Sequence, residues 1–226
     1  MRRLFGRRKV DRSLPVLPAE PVSRQFGSER GRPIDRWYIE RFLEQNRADV
    51  RGHVLEVAES TYTEWYGDDA VSSSDVLYAA EGNAQATVVG NLVSGDGLAE
   101  AAWDCFICTQ TLQFIADLPA AVAGTRRLLA PGGVLLATVP GISQISTVDD
   151  AAWGDWWRFN ARGVKRLFEA EYGAANVKVE RHGNVKTAAA FLYGLAAEDL
   201  TTEELQREDN DYQMLICVRA VRDPAV

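Results

Sequence analysis

Residues that hold metals or build disulfides are scarce in this chain, with three cysteines, two histidines and two methionines among 226 residues. Three cysteines are too few for a disulfide framework. Cys105 and Cys108 form a C-x-x-C, but it lies inside the apolar run WDCFIC, and strand residues three apart face opposite sides of a sheet. With no second cysteine or histidine pair nearby, no metal site is expected. The three thiols read as buried side chains in a reducing, cytoplasmic compartment. No run is long and apolar enough to span a bilayer. The N-terminal arginines are not followed by the apolar stretch of a secretory signal. Neither histidine suits a general base, because His53 opens the first expected strand, at the wrong end of a sheet, and His182 follows the sixth. A nucleophile elbow, a P-loop and a zinc motif are all missing.

What is present is an ordinary globular composition with unevenly placed charge. Hydrophobic content of 46% and charged content of 25% fit a soluble protein, and the length fits one sizeable core. The net charge is -7, yet residues 1–12 carry Arg2, Arg3, Arg7, Arg8, Lys9 and Arg12 against Asp11 alone. The body is therefore strongly acidic and repels phosphate, which argues against a general nucleic-acid binder. The basic tail, with Leu4 and Phe5, reads either as a solvated segment or as one that touches an anionic surface or acidic partner.

Residues 1–33 form this tail and a lead-in containing Pro15, Pro18, Pro21 and Pro33, and residues 34–226 form one domain. Ile34, Trp37, Tyr38, Arg41 and Phe42 recur at helical spacing, so an amphipathic helix is expected over 34–48. From residue 53, short apolar runs alternate with helical stretches. HVLEVA, AVSSSDVL (ending near Asp75), ATVVGNL, WDCFICT and VLLATVP are five expected strands. A helix over LPAAVAGTRRLLA, stopped by PGG, precedes the fifth. RGVKRLFEAEYG is a further helix, and NVKVERHG and YQMLICVRAV are late strands separated by an apolar helix around 187–198. This alternation predicts an α/β fold with a parallel sheet and helices on both faces. Ligands of such sheets bind beyond the carboxyl ends of the strands.

Those ends carry the candidate residues. Asp75 stands about twenty residues after the first loop, where an acid accepts both ribose hydroxyls of a nucleotide; it also reads as a polar turn residue. Glu56 lies inside an apolar strand, so its charge needs a partner, either N–H groups of the next loop or a ligand ammonium. Asn91 suits a base edge or a turn. Thr109, Gln110, Thr111 and Gln113 bring neutral hydrogen-bonding groups to a pocket or cap the next helix. WGDWWRF, residues 153–159, holds three of the six tryptophans together with Asp155 and Arg158. It reads as a lid, either packed on the core or also walling a substrate pocket.

Together these segments resemble the class I S-adenosylmethionine-dependent methyltransferases of the small-molecule type. The matching pieces are VLEVA at 54–58, Asp75, VVGNL at 88–92, WDCFICTQTLQFI at 103–115 and LLAPGGVLLATVP at 128–140. RPIDRWYIERFL, TQTLQ and WGDWWRF are also similar to segments of sugar and natural-product pathway proteins. The resemblance implies a Rossmann-like, seven-stranded sheet, mostly parallel with its last strand antiparallel. It implies that Glu56 and the loop with Ala58 and Ser60 hold the methionine part of S-adenosylmethionine. Asp75 and Val76 would sit at the ribose, Asn91 and Leu92 at the adenine, and Thr109 and Gln110 at the sulfonium. Tyr38 would close over the cofactor carboxylate.

The chain departs from the family at this loop, where Ala58, Ser60 and Tyr62 replace glycines that permit positive φ and close backbone approach. Tyr62 either points outward or enters the cavity and blocks it. The activity expected is methyl transfer to a small polar metabolite such as a sugar, amino sugar or natural-product intermediate. Tyr62, Gln113, Trp153, Trp156, Trp157 and Arg158 would shape the substrate pocket, and Asp155 is the candidate base if a hydroxyl is the nucleophile. The competing readings are a non-catalytic binding or scaffold partner, and an enzyme using the same cofactor for another reaction such as cyclisation.

Overall fold

The computed structural model describes residues 18–224, so the basic stretch 1–12 lies outside the described residues. The apolar stripe of the leading helix, α1 (Ile34–Gln45), buries Ile34, Ile39, Phe42 and Leu43. The expected helix stops three residues early, and a short 3-10 turn over Arg47–Asp49 follows it. The strands are β1 (Gly52–Val57), β2 (Val71–Tyr78), β3 (Val88–Val89), β4 (Trp103–Thr109), β5 (Leu129–Pro140), β6 (Val177–His182) and β7 (Leu215–Val221). They form one sheet in the order β3-β2-β1-β4-β5-β7-β6. β7 runs antiparallel to both β5 and β6, while β1 pairs in parallel with β2 and β4, β2 with β3, and β4 with β5. The expected seven-stranded, mostly parallel sheet with an antiparallel last strand is therefore observed.

Strand alternation sends successive side chains to two cores. Leu55, Phe106, Cys108, Leu135 and Val218 face the first. Helices α3 (Leu118–Leu128) and α5 (Ala161–Tyr172) cover it with Val122, Leu128, Val164, Phe168 and Tyr172. Val54, Cys105, Ile107, Leu136 and Cys217 face the second, which is covered by α1 and α6 (Val185–Leu192). Cys105 and Cys108 thus point to opposite faces, and all three cysteines are buried free thiols.

Local chemistry sets the helix ends. Asp117 caps α3 by accepting the Ala120 N–H at 3.2 Å, and Asn160 caps α5 through Gly163 N–H at 2.9 Å. Gly173, at φ +83°, ends α5. Gly124 of α3 has a packing role, because a Cβ there would meet the Leu92 carbonyl oxygen at 1.9 Å. Its bareness lets α3 approach the loop after β3.

Three expectations of element boundaries fail. β2 continues three residues beyond Asp75 to Tyr78. Pro131, Gly132 and Gly133 do not stop a helix; they lie within β5, where the pairing register with β4 shifts. The apolar helix expected around 187–198 is α6, which gives way to a turn with Gly194 at φ +69°. The lead-in is also more than a spacer. Val22 and Ser23 donate backbone N–H groups to the Tyr193 carbonyl at 2.9 and 3.2 Å, and Phe26 packs on Phe191 with ring centroids 5.6 Å apart. Among the described residues no helix is long and apolar enough to cross a membrane.

Candidate functional site

A cleft of about 810 Å³ opens beyond the carboxyl ends of β1, β2, β4 and β5. One wall is the β1–α2 turn, with α2 spanning Thr61–Tyr66. Glu56, Ala58, Glu59 and Tyr62 line that wall, and Asp35 and Arg36 of α1 stand beside it. Tyr78 and Ala79 at the end of β2 and Asn91 and Leu92 after β3 form the next side. Thr109, Gln110 and Gln113 follow β4, and the lid contributes Trp153, Asp155, Trp156 and Arg158. The lead-in residues Gln25, Phe26 and Ser28 also border the cleft.

The turn keeps a glycine-like backbone without glycine. Ala58 adopts φ +71°, a left-handed conformation that costs an L-residue about 1–2 kcal/mol. Its N–H donates to the Leu77 carbonyl at 2.9 Å, and its own carbonyl accepts Asn83 Nδ2 at 2.8 Å. Glu56, only 2% exposed, supplies the brace. Its carboxylate accepts Tyr62 N–H at 3.1 Å, Thr63 N–H at 2.7 Å and the Thr63 hydroxyl at 2.7 Å. The partner of this buried acid is therefore the start of α2. Burial pushes its pKa up to about 7, although the Thr63 and Tyr62 hydrogen bonds pull the other way.

Tyr62 lines the cleft without filling it. It is buried, with its ring 6.3 Å from Tyr66 and edge-on to Trp65 at 5.8 Å. Arg36 Nη1 donates to its hydroxyl at 3.4 Å. Ser60 turns away: its hydroxyl donates to Glu64 at 2.7 Å, and it is not among the cleft-lining residues.

Asp75 is also displaced from its expected place. It pairs with Leu55 in mid-strand and does not line the cleft. Its carboxylate is tied to His53 Nε2 at 2.7 Å, Trp103 Nε1 at 3.0 Å and the Thr87 hydroxyl at 2.7 Å. Burial raises the Asp75 pKa, but those hydrogen bonds outweigh it and hold the carboxyl below its ordinary value. Val76 is buried, 5% exposed, and does not line the cleft. The residues that reach the ligand end of β2 are Tyr78 and Ala79, neither of them acidic.

Asn91 borders the cleft, but its side-chain oxygen accepts Val93 N–H at 2.8 Å, which is the turn-forming role. Leu92 is a buried apolar wall. Gln110 lies at φ +47°, and its side-chain oxygen accepts Gln113 Nε2 at 3.2 Å. Gln113 is 5% exposed, and its Oε1 has no partner.

Asp155 is spent as a structural carboxylate. It holds Arg158 at 2.5 and 2.8 Å and accepts Ser146 N–H at 3.0 Å. Burial raises its pKa, but Arg158 and Ser146 outweigh that and keep it below the ordinary value, so it is not poised as a base. The expected lid is helix α4 (Thr147–Trp153) followed by an irregular segment. Trp153 meets Tyr78 edge-on at 5.8 Å, and Trp156 lines the mouth. Trp157 lies outside the lining and donates its indole N–H to the Ile115 carbonyl at 2.9 Å. Tyr38 is elsewhere too. Its hydroxyl donates to the Leu205 carbonyl at 2.7 Å, and its ring stacks on His182 at 5.5 Å, beside a separate cavity of about 150 Å³.

The residues missed by sequence reasoning are Asp35, Arg36 and Tyr78. Arg36 sits two positions from Tyr38, about 200° around the helix, so the two cannot serve one site. The signal for Tyr78 was the apolar VLY that continues β2 past Asp75.

Residues 51–137 match the model of the methyltransferase domain family. That segment runs from just before β1 into β5 and includes the braced turn. The chain has the class I methyltransferase fold. Solved structures with this fold align along most of the chain at low identity. A SAM-dependent methyltransferase from Archaeoglobus fulgidus has a TM-score of 0.52 at 10% identity, over 83% of this chain and 94% of that one. The [4+2]-cyclase SpnF has a TM-score of 0.50 at 14% identity, over 82% of each chain. A phosphoethanolamine N-methyltransferase from Haemonchus contortus has a TM-score of 0.49 at 12% identity, over 76% of this chain. This chain spans about half the length of that enzyme, covering 49% of it. No curated protein matches the sequence.

Proposed function

We propose that this protein is an S-adenosylmethionine-dependent methyltransferase acting on a small polar metabolite in the cytoplasm. The observation that carries this reading is the Glu56-braced turn, which retains the left-handed backbone at Ala58 and borders an open cleft. A turn that had lost its ligand would have no reason to sustain both a buried acid and a strained alanine. The side chains present fit the cofactor. Arg36 has no carboxylate within ion-pair distance among the described residues and would take the methionine carboxylate. Leu92 offers an apolar face to the adenine, and Thr109 and Gln110 stand where the sulfonium end would lie. When bound, the cofactor supplies a methyl carbon activated by an adjacent positive sulfur. The chain's task is then to align the nucleophile behind that carbon and to exclude water.

A second reading is favoured by one specific feature. β2 ends at Tyr78 and is followed by Ala79, so the carboxylate that would hold a ribose is not at the cleft. This supports a descendant that binds the nucleotide differently, either as a partner in a biosynthetic complex or for another reaction; the same fold is found in the cyclase SpnF. Titration calorimetry of the full chain with S-adenosylhomocysteine tests the first reading. No heat of binding at millimolar ligand would end it. If binding occurs, mass spectrometry of incubations with S-adenosylmethionine and candidate metabolites separates the readings, because only methylation adds a methyl group to the product.

A further inference from the structure

The strongest unexplained feature of the cleft is Gln113. It is 5% exposed, its Nε2 donates to Gln110 Oε1 at 3.2 Å, and its backbone carbonyl accepts Trp156 N–H at 2.9 Å. The first bond holds the side chain and the second its backbone, yet Oε1 has no partner. A buried carbonyl oxygen left unpaired costs free energy unless a ligand donor satisfies it. From these positions we propose that Gln113 Oε1 receives an N–H of the methyl acceptor, and that the acceptor is an amine rather than an alcohol. This rests on the methyltransferase reading and deepens it by naming the nucleophile.

The choice of amine follows from the lid side of the cleft, where no histidine stands and the carboxylates of Asp149 and Asp155 already hold hydrogen bonds. An alcohol needs a base as its oxygen attacks, whereas an amine already carries a lone pair. No histidine lines the cleft. Both oxygens of Glu56 and of Asp155 are taken up by hydrogen bonds. Asp149 accepts the Ser146 hydroxyl at 2.6 Å. Asp35 and Glu59 belong to α1 and the β1–α2 turn, on the Arg36 side. The lid brings indole rings, 38% exposed at Trp153 and 58% exposed at Trp156, whose faces attract an ammonium.

The step balances without another reactant. The ammonium form sheds a proton to water at the open mouth. With the cofactor bound, the amine lone pair would form the new N–C bond as the methyl's C–S bond breaks, and the bonding pair would stay on sulfur. The methylated ammonium then releases a proton to water.

The test uses the full chain loaded with S-adenosylhomocysteine and two probes of one shape, benzylamine and benzyl alcohol. Binding is followed by calorimetry and by the Gln113 side-chain amide signal in 1H–15N spectra, assigned by its loss in Gln113→Met. Benzylamine is expected to shift that signal and to bind roughly tenfold tighter than benzyl alcohol. In Gln113→Met the preference falls to about twofold or less, while S-adenosylhomocysteine binding persists as the check on folding. An undiminished preference in Gln113→Met, a wild-type preference for the alcohol, or no binding of either probe would overturn the assignment. If S-adenosylhomocysteine itself does not bind, the cofactor reading falls, and the same titration on the cofactor-free chain still decides the role of Gln113.

Discussion

The Glu56 carboxylate receives the Thr63 backbone N–H and hydroxyl, each at 2.7 Å, tying the end of β1 to the start of α2. This contact replaces the compactness that glycines would give the turn. It also makes the turn sensitive to pH, because burial lifts the Glu56 pKa from an ordinary 4.5 to about 7.

A raised acid pKa means that the folded state holds its proton longer than the unfolded state. The associated stability is complete below pH 4.5 and is lost as pH rises to about 7. Two and a half pKa units correspond to at most about 3 kcal/mol. Urea denaturation at pH 5 and pH 8 is expected to show this loss in the wild type. In Glu56→Gln the loss should be smaller by about 1–3 kcal/mol. An identical pH dependence in the two proteins would show that Glu56 titrates normally.

Ala58 provides a second measure of the same turn. At φ +71°, replacing its Cβ by hydrogen relieves left-handed strain but adds freedom to the unfolded chain. The balance favours Ala58→Gly by about 0.5–1 kcal/mol. The urea midpoint should rise with an unchanged slope, and affinity for S-adenosylhomocysteine should hold or improve. A fall in stability would mean that the alanine methyl contributes packing that outweighs the strain.

Arg36 is expected to read the carboxylate end of the ligand. Its removal should therefore discriminate between two nucleosides. Arg36→Met should weaken S-adenosylhomocysteine by about 10- to 100-fold, the range of a charge-assisted hydrogen bond. Methylthioadenosine, which has no carboxylate, should change by about twofold or less. Equal losses for both ligands, measured by calorimetry, would point to a collapse of the α1 wall instead.

The sheet was legible because strands buried on both sides are written as apolar runs, and WDCFICT and VLLATVP need no context to be read. The two-faced core followed from alternation at Cys105 and Cys108. The site was less legible because it depends on register and helix rotation, which are tertiary. Asp75 lies the right distance along the chain, but pairing with Leu55 leaves it three residues short of the strand end. Tyr38 and Arg36 share a helix, and only packing against β6 decides that the tyrosine faces His182 while the arginine borders the cleft. Asp155 is a candidate base by its place in the chain, but its pairing with Arg158, three positions on, is set by the backbone of the lid.

That register difference makes Asp75 the sharpest test of where the ligand lies. In this structure its oxygens serve His53, Trp103 and Thr87, at the amino-terminal side of the cleft strands. Asp75→Asn keeps the shape but exchanges one acceptor for a donor: an amide oxygen in place of Oδ2 keeps the His53 and Trp103 bonds, and the Thr87 hydroxyl loses its acceptor. The expected cost is about 1–3 kcal/mol of stability. Because hydrogen bonding lowers the carboxyl pKa, this contribution is complete above the ordinary value of 3.8 and is lost as the pH falls through the lowered one. Binding of S-adenosylhomocysteine at neutral pH should change by about twofold or less, since the residue does not line the cleft. The opposite pattern, intact stability with abolished binding, would restore Asp75 as the ribose acceptor and require β1 and β2 to pair in a different register when the nucleoside is bound.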